Sequence, residues 1–475
     1  MARQTEFVDA SRRDTLRAGL GLAIANGAGW LGVPRALAQG RDGQLPSRGE
    51  YLIRNAFVMT LDAALGDLAN ASIHVRDGDI IAVGTDLSAP MAQVIEGRDM
   101  IVLPGLIETH WHVWTTMLRS LSGDRAEHGY FPMSRGIGAH YDAEDMYVSG
   151  RLALAEAIFG GITFVHDWCH NVRSPEYARS AIRALDESGI RARFSYGTPT
   201  GQANDVMIDV EDLAALAGTW AQRSDGGRLD LGLAWRGPGS DASRRDYERA
   251  RELGLPISVH VNVSRASAGG IAAIADAGLL GPHVQLIHAI WSTPAEIAAV
   301  ARSGASLSLS PFTELRIGFG FPMTSEYLES GVPIGLSVDT PALSGNADMF
   351  AIMKAIQNVE NARALDEVKL PARRVLELAT IEGARSIGIA DRVGSLTPGK
   401  RADLIMIDTR DPNLGVFTDA AHLLVEAAQP HNVDTVIVDG RILKRNKRLT
   451  HLDTDTIIDA ARSALTAVRA RADWP

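Results

Sequence analysis

The chain has 475 residues, of which 46% are hydrophobic and 22% charged, and its mean hydropathy is close to zero. This composition is typical of a folded soluble protein and excludes collagen-like, largely disordered and multi-spanning membrane proteins. Lys and Arg total 47 against 57 Asp and Glu, so the net charge of −10 offers no basic surplus for a nucleic-acid partner. Because Cys169 is the only cysteine, any metal must be held by His, Asp or Glu.

Residues 1–38 have the pattern of an export signal. Residues 11–17 read SRRDTLR, a mildly apolar Gly/Ala-rich run follows, and residues 36–38 offer a small-x-small cleavage site. This segment resembles a twin-arginine signal peptide, which predicts passage through the twin-arginine export machinery and a periplasmic mature protein. An irregular N-terminal arm is the alternative. Because no later apolar run reaches the ~18 residues that a bilayer span needs, we expect no membrane span.

Short β-like segments occur near both ends of the chain. The first group lies between Tyr51 and Leu103 and includes an Asp77-Gly78 turn, and similar segments return at 402–407 and 434–440. One small β-sandwich domain, assembled from residues 50–103 plus 393–450, explains both groups most economically. Residues 453–471 carry apolar residues at helical spacing, which predicts a closing amphipathic helix.

Residues 104–392 alternate between short apolar strands and helix-sized stretches such as 143–159 and 174–188. Eight such units indicate an α/β fold of the (β/α)8 TIM-barrel class. A doubly wound open sheet is the alternative, but no Gly-rich phosphate loop follows the first strand. The eight predicted strands end at His110/His112, Asp167, Gly197, Trp235, His260, His288, Ser310 and Asp339.

Many histidines fall at these predicted strand ends. The active site of a TIM barrel lies at the carboxyl ends of its strands, so this placement indicates a shared function. A carboxylate, Asp339, ends the eighth strand. The histidines concerned, six of the 13 in the chain, are His110, His112, His166, His170, His260 and His288.

The His110-Trp111-His112 segment is the most specific element among them. In a strand, residues i and i+2 project to the same face, so both imidazoles can reach one atom inside the barrel mouth. Neutral imidazole is a good ligand for zinc and its neighbouring metals. Together with His260, His288 and Asp339 at other strand ends, this pair predicts a metal centre.

Two longer motifs resemble the amidohydrolase superfamily, in particular its cytosine deaminase and chlorohydrolase-like branch. Residues 102–112 read VLPGLIETHWH, which is similar to the segment that opens the barrel in this superfamily. Residues 393–404 read VGSLTPGKRADL, which is similar to its return into the β-domain. The resemblance extends over nearly all of the chain after the leader and implies a metal-bearing barrel with a split β-sandwich.

The resemblance implies that His110, His112, His260 and Asp339 are metal ligands. It leaves His288 open as a further ligand, as a residue behind the ligands or as one that faces the substrate. Members with two metals usually bridge them with a carboxylated lysine at the end of the fourth strand, where this chain has no lysine. We therefore expect one divalent metal ion, zinc before iron, manganese or cobalt.

A second departure concerns proton transfer. Nucleobase deaminases of the superfamily generally have a Glu three residues after the fifth-strand histidine, whereas residues 260–263 of this chain read HVNV. The missing acid argues against a nucleobase deaminase. Glu314, after the seventh strand, is a candidate replacement, and a position at the rim of the pocket is its alternative reading.

The expected chemistry needs an activated water, a proton carrier and a partner for the oxyanion. We assign proton transfer to Asp339 and oxyanion stabilisation to a protonated His288. Aromatic residues near strand ends suit a flat or apolar substrate, and packing at the rim of the pocket is the alternative role for the tryptophans. Arg236 could bind a carboxylate or carbonyl oxygen, and a structural ion pair is its alternative role. The candidate substrate-binding residues are Trp111, Trp114, Arg236, Trp291, Glu314 and His170.

These patterns favour a metal-dependent hydrolase that cleaves a non-peptide C–N bond, as in an amide, ureide or carbamate, of a small aromatic or heterocyclic substrate. An aminohydrolase that releases ammonia from a heterocycle is the alternative. A non-catalytic relative that serves binding or scaffolding is a third hypothesis, but all the expected ligands are present. The expected partners are a small-molecule substrate and the export machinery, and a homo-oligomer is left open.

Overall fold

The structure, a computed structural model, describes residues 44–475. The predicted export signal over residues 1–38 lies outside the described residues. In the described part, the middle of the sequence forms an eight-stranded parallel barrel and the two ends form a separate sheet. The predicted fold class is therefore confirmed.

Five strands precede the barrel. A two-residue turn joins the second strand to the third, and Asp77 and Gly78 both have positive φ there, 53° and 92°. Asp-Gly favours this conformation because glycine has no Cβ and Asp tolerates the left-handed region. The five strands are β1 (Glu50–Met59), β2 (Asp67–Arg76), β3 (Asp79–Gly84), β4 (Gln93–Glu96) and β5 (Met100–Pro104).

Eight short strands, nearly all buried, make the barrel, and each pairs in parallel with the next. They are β6 (Leu106–Trp111), β7 (Ile162–Cys169), β8 (Arg191–Gly197), β9 (Leu229–Trp235), β10 (Ile257–Val261), β11 (Val284–His288), β12 (Ser306–Leu309) and β13 (Ile334–Leu336). Trp111 also bridges to Asp339 in parallel. At this seam the Asp339 N–H donates to the His110 carbonyl at 2.9 Å, and the His112 N–H donates to the Asp339 carbonyl at 2.7 Å. These bonds close the ring.

Helices follow the barrel strands. The long helix predicted over residues 143–159 is present, and a reciprocal pair of bonds between Asp142 and Asp145 caps its start. The helices are α1 (Tyr130–Gly138), α2 (Ala143–Phe159), α3 (Pro175–Ser188), α4 (Val210–Arg223), α5 (Asp241–Glu252), α6 (Gly270–Asp276), α7 (Pro294–Ser303), α8 (Pro311–Arg316), α9 (Thr324–Glu329), α10 (Pro341–Ser344), α11 (Met349–Ala364), α12 (Ala372–Leu378) and α13 (Ile381–Ser386). None of the helices in residues 44–475 has both the length and the apolar run that a bilayer crossing requires.

The C-terminal strands complete the first sheet, because β5 pairs in antiparallel orientation with the first strand after the barrel. One nine-stranded sheet results. It encloses a core of its own, to which both chain ends contribute, for example Ile53, Val102 and Leu404. The last elements are β14 (Leu404–Asp408), α14 (Ala420–Glu426), β15 (Val433–Val438), β16 (Arg441–Arg445), β17 (Arg448–Leu449) and α15 (Thr454–Arg471), and α15 packs on α2.

Candidate active site

Four imidazoles and one carboxylate meet at the carboxyl ends of the barrel strands. His110 and His112 come from the end of β6, His260 from β10, His288 from β11, and Asp339 follows β13. One ligand atom from each of His110, His260, His288 and Asp339 lies within 4.8 Å of the others. The alternation of side chains along β6 brings both of its histidines to the same interior face.

Asp339 is the centre of this cluster. Its Oδ1 lies 3.3 Å from His110 Nε2 and 3.4 Å from His112 Nε2, and its Oδ2 lies 3.9 Å from His288 Nε2. His260 Nε2 lies 3.2 Å from His110 Nε2. The nitrogens of four histidines therefore surround one carboxylate that is itself almost fully buried.

Burial lowers the pKa of three of these imidazoles. For His110 and His260 the neighbouring histidines lower the pKa further, and both lie well below the usual value. For His112 burial outweighs the opposing charge of Asp339. The three rings are consequently neutral at pH 7. The His112 Nδ1–H donates to the Trp168 carbonyl at 2.9 Å, which leaves the lone pair of Nε2 facing Asp339.

These residues fit a divalent metal ion. Neutral imidazole nitrogens and one carboxylate are the donor set that zinc takes when no cysteine is available. Two imidazole nitrogens that face each other at 3.2 Å, as in His110 and His260, suit a shared cation between ligands. Within residues 44–475, His110 Nδ1 is also buried without a hydrogen-bond partner. His110, His112, His260, His288 and Asp339 are therefore the residues that could hold the ion.

Glu314 lies behind His288 rather than in the pocket. It is fully buried on α8, and its Oε1 accepts from His288 Nδ1 at 3.0 Å and from the Ser310 N–H at 2.8 Å. Burial lowers the pKa of His288, but the Glu314 hydrogen bond and the charge of Asp339 outweigh it, so the net shift is upward. The predicted substrate residue Glu314 is therefore absent from the described lining of the pocket, and its carboxylate contacts His288 instead.

Glu108 supports the cluster from below. Its Oε1 accepts from the His110 N–H at 2.9 Å and from the Val338 N–H at 3.2 Å, so one side chain ties β6 to the segment that carries Asp339. Desolvation raises the pKa of Glu108 well above its usual value. Sequence reasoning missed this role. The available signal was a carboxylate in an otherwise apolar strand, two residues before a ligand.

A pocket of about 250 Å³ opens above the cluster. Its wall is mostly aromatic and apolar, and among the described residues Asp339 is the only carboxylate that lines it. Sequence reasoning did not assign Tyr130 and Phe131 to this wall, because both lie on α1, far from any predicted strand end. The wall comprises Tyr130, Phe131, Trp168, His170, Val263, Thr313, Ile317, Phe319 and Leu343, beside the metal-site residues.

Two predicted substrate residues lie at or next to this pocket. His170 lines it, and its ring lies 3.9 Å from that of His112, centroid to centroid. Trp114 is buried behind His170 and donates from Nε1 to His170 Nδ1 at 3.2 Å. Trp114 therefore orients a wall residue and does not form the wall itself.

Three other predicted substrate residues are placed elsewhere. Trp111 points away from the ligands because it alternates with His110 and His112 on β6. Arg236 donates to the carbonyls of residues 203 and 206 and pairs with Asp246 at 3.2 Å. It therefore forms a structural ion pair, which was the alternative reading of this residue. Trp291 donates to the Phe319 carbonyl at 2.7 Å and supports the Phe319 loop from outside the pocket.

His166 also lies apart from the cluster. Its Nδ1 donates to the Thr109 carbonyl at 2.8 Å and its Nε2 contacts the Ser195 hydroxyl at 2.8 Å. Both ring nitrogens are satisfied by protein groups in the barrel interior, below the metal-site residues. Of the remaining strand-end histidines, His112, His170, His260 and His288 line the pocket, and His110 is buried beneath it.

Sequence comparison identifies the family. The sequence model of the Amidohydrolase family matches residues 101–443, so the chain belongs to this family. The predictions of a hydrolase and of the superfamily are confirmed. The match includes the whole barrel and, in the sheet, β14, β15 and the start of β16.

Several relatives align over nearly their full length. A 5'-deoxyadenosine deaminase of Methanosarcina acetivorans is 28% identical over 442 residues, 89% of this chain and 99% of the relative. A 5-methylthioadenosine/S-adenosylhomocysteine deaminase of Moorella thermoacetica is 27% identical over 86% of this chain and 97% of the relative. Among solved structures, an adenosine deaminase from Xanthomonas campestris with bound zinc superposes with a TM-score of 0.78 at 23% identity, covering 90% of this chain and all of the other.

Proposed function

We propose that the protein hydrolyses a C–N bond of a small aromatic or heterocyclic amide, ureide or carbamate. The observation that carries this proposal is the single carboxylate of the pocket: Asp339 lies among four imidazoles under an aromatic wall. Hydrolysis of such a bond moves one proton from water to the leaving nitrogen, and one carboxylate is sufficient for that transfer.

His110, His112, His260 and Asp339 would hold a divalent metal ion, and zinc suits this donor set. When bound, the ion would supply an acidified water at neutral pH, with the pKa of that water near 7. The same charge favours the oxyanion of the reacting carbonyl.

The side chains of the protein supply the remaining steps. The Asp339 carboxylate accepts the proton that the attacking water loses and returns it to the departing nitrogen as the C–N bond breaks. His288, whose pKa is raised by Glu314 behind it, donates in its protonated form from Nε2 to the developing oxyanion. Trp168, Phe131 and Phe319 exclude water and pack against the flat substrate.

Deamination of a heterocycle is the second candidate. The named activities of the 28% and 27% identical relatives favour it. Val263 argues against deamination, because it lines the pocket at the position where the resemblance predicts a glutamate. A substrate nitrogen or His288 would then have to move the second proton that ammonia release requires.

The products distinguish the two candidates. Purified protein loaded with zinc is incubated with matched sets of aryl amides, aryl ureas and carbamates and with amino-heterocycles that include 5'-deoxyadenosine, and products are identified by mass spectrometry. An amine together with an acid or carbamate product supports the leading proposal. Ammonia with a hydroxylated ring supports deamination and contradicts the leading proposal.

We also propose that residues 1–38 direct export by the twin-arginine route. The support is the SRRDTLR segment and the following small-residue cleavage site. The double variant Arg12→Lys with Arg13→Lys should remain in the cytoplasm as an active, uncleaved precursor. Cell fractionation and N-terminal sequencing measure where the protein is found and where it begins. A mature form beginning near Gln39 in the periplasm would show that the arginine pair is incidental.

A further inference from the structure

A second cavity, of about 300 Å³, opens at the amino-terminal end of the barrel, opposite the catalytic pocket. Its wall is formed by the starts of β10, β11 and β12 and by side chains of β7 and β8 that point into the barrel. In TIM barrels this end serves stability, and branched apolar side chains fill the interior. A polar cavity here has no role in the reaction proposed above.

The lining of this cavity carries a buried arginine whose charge is only weakly compensated. Among the described residues the lining contains two arginines and no carboxylate, and one of them, Arg385, pairs with Glu382 just outside the cavity. Arg193, on β8, has a side chain only 10% exposed, and the carboxylate nearest to it, Asp230, lies 3.6 Å away. Asp230 is already bound by Arg392 at 2.7 Å, so two guanidinium groups share one acid. Burial, followed by the charge of Arg193, lowers the pKa of His166 in this wall to about 3, which leaves that ring neutral.

Polar groups next to Arg193 have unused hydrogen-bonding capacity. Gln285 is 5% exposed, and neither of its amide atoms has a hydrogen-bond partner within residues 44–475. The Arg193 Nε is likewise unpartnered in the described chain. The Ser258 hydroxyl makes one long contact, 3.5 Å to the Leu233 carbonyl. Buried polar groups are normally paired, so the Gln285 amide and the Arg193 Nε leave this wall able to bind a polar ligand, with the Ser258 hydroxyl beside them.

We propose that this cavity binds a small organic carboxylate, independently of the catalytic pocket. A guanidinium fork matches the two oxygens of a carboxylate, and the Gln285 amide and the Ser258 hydroxyl provide further donors. The outer wall is apolar, formed by Leu255, Pro256 and Ile387. A ligand with a carboxylate head and a compact hydrocarbon or aromatic body satisfies both parts of the cavity.

Calorimetric titration of the full-length, zinc-loaded protein tests this proposal, with benzoate as the probe and benzamide as its uncharged match. Benzoate should bind at least tenfold more tightly than benzamide. Arg193→Met removes the charge and keeps the length of the side chain, so it should weaken benzoate at least tenfold. Gln285→Leu should weaken it severalfold and serves as the test if Arg193→Met does not fold. Arg179→Met, at the surface on α3, is the matched control and should bind benzoate normally.

Asp339→Asn separates this cavity from the catalytic pocket. Benzoate that binds at the amino-terminal end of the barrel is retained in Asp339→Asn and lost in Arg193→Met, whereas benzoate held by the catalytic metal shows the opposite pattern. The proposal would be overturned by any of three results: the opposite pattern, equal affinity for benzoate and benzamide, or no binding of benzoate. Because binding is measured rather than turnover, the result does not depend on which substrate the enzyme hydrolyses.

Discussion

Asp339 combines a buried carboxylate, surrounded by histidines, with a left-handed backbone conformation. Its φ is +59°, and that of His288 is +69°, a left-handed conformation that residues other than glycine adopt with strain. In this conformation both side chains point into the same cluster, with Asp339 Oδ2 3.9 Å from His288 Nε2. Asparagine tolerates this conformation better than alanine does, so Asp339→Asn removes the charge with little added backbone cost.

We expect Asp339→Asn and His110→Ala to lose metal and activity while the protein stays folded. Each change removes one donor from a site of four or five ligands, so zinc content should fall well below one ion per chain. Turnover should drop by about 10³-fold or more, since the activated water is lost with the ion. Elemental analysis and kinetics on the same preparations measure both quantities. His140→Ala, at an exposed histidine, is the control and should keep its zinc and its activity. Full zinc occupancy in Asp339→Asn or His110→Ala would refute the ligand assignment.

Glu314→Gln tests whether Glu314 acts through His288. Glutamine keeps the size of the side chain but loses the charge that raises the pKa of His288. At saturating zinc, kcat should fall about 10–100-fold with little change in KM, as for other residues that orient site histidines. Because His288 acts in its protonated form and Glu314 raises its pKa, the alkaline limb of the pH profile should move to lower pH when the charge is removed. Glu211→Gln on the surface should leave both constants unchanged, and a raised KM with unchanged kcat would instead place Glu314 against the substrate.

At the residue scale, strand alternation predicted the His110 and His112 pair, and the same alternation places Trp111 on the other face. Arg236 could not be assigned correctly from sequence, because its carbonyl partners lie in a loop around residues 203–206 with no local pattern. The role of Glu314 depends on a tertiary contact between α8 and β11 that sequence spacing does not encode.

At the scale of elements, the connection between barrel and sheet rests on a buried ion pair. Arg191, on β8, donates from Nε to Asp403 at 2.7 Å and from Nη2 to Asp439 at 3.3 Å. All three side chains are buried. A guanidinium group that satisfies two carboxylates at once fixes the angle at which β8 meets the strands of the sheet.

We expect Arg191→Met to lower the free energy of unfolding by about 3–5 kcal/mol, because it leaves the buried Asp403 carboxylate without a charged partner, whereas Asp439 keeps its pairs with three other arginines. Urea denaturation monitored by circular dichroism measures the change. Arg462→Met, which removes an exposed pair with Asp459 on α15, is the control and should change stability by less than about 1 kcal/mol. A loss in Arg191→Met as small as that of the control would show that water replaces the guanidinium group.

Helices with strong local signals were predictable. The helix over 143–159 has a cap at Asp142 and a long apolar face, and the closing helix has an equally regular pattern. The pairing of β5 with β14 was expected only in outline, because its register depends on contacts between distant segments. The short helices α8, α9 and α10 have too few residues for a periodic pattern to appear.

At the scale of the whole molecule, one lysine joins the sheet to the end of a barrel helix. Lys444, on β16, is fully buried, donates to the Phe159 carbonyl at 2.6 Å and lies 3.8 Å from the centre of the Phe159 ring. The carbonyl belongs to the C-terminus of α2, where a positive charge is favoured. Burial nevertheless lowers the pKa of Lys444 to about 7.

This shift predicts how stability depends on pH. Between about pH 7 and pH 10 the unfolded chain binds a proton that the native lysine does not hold, so the free energy of unfolding should rise with pH. The contribution is at most about 1.4 kcal/mol per pH unit, and it is lost as the pH falls towards 7. Urea titrations at several pH values should show this slope in the wild type and a reduced slope in Lys444→Met. Lys354→Met, at an exposed lysine that also donates to a carbonyl, should keep the wild-type slope; equal slopes in all three proteins would contradict the prediction.

The seam of the barrel has a consequence for how the molecule matures. The hydrogen bonds that close the ring join Asp339 to His110 and His112, so closure of the ring also brings these three candidate ligands together. A chain whose ring is still open holds an incomplete set of donors, and metal affinity therefore selects the closed form. A bound ion would therefore stabilise this junction. Its removal by a chelator should accelerate hydrogen exchange first at the amides of His112 and Asp339, while the amides of β8 and β9, on the far side of the ring, stay protected.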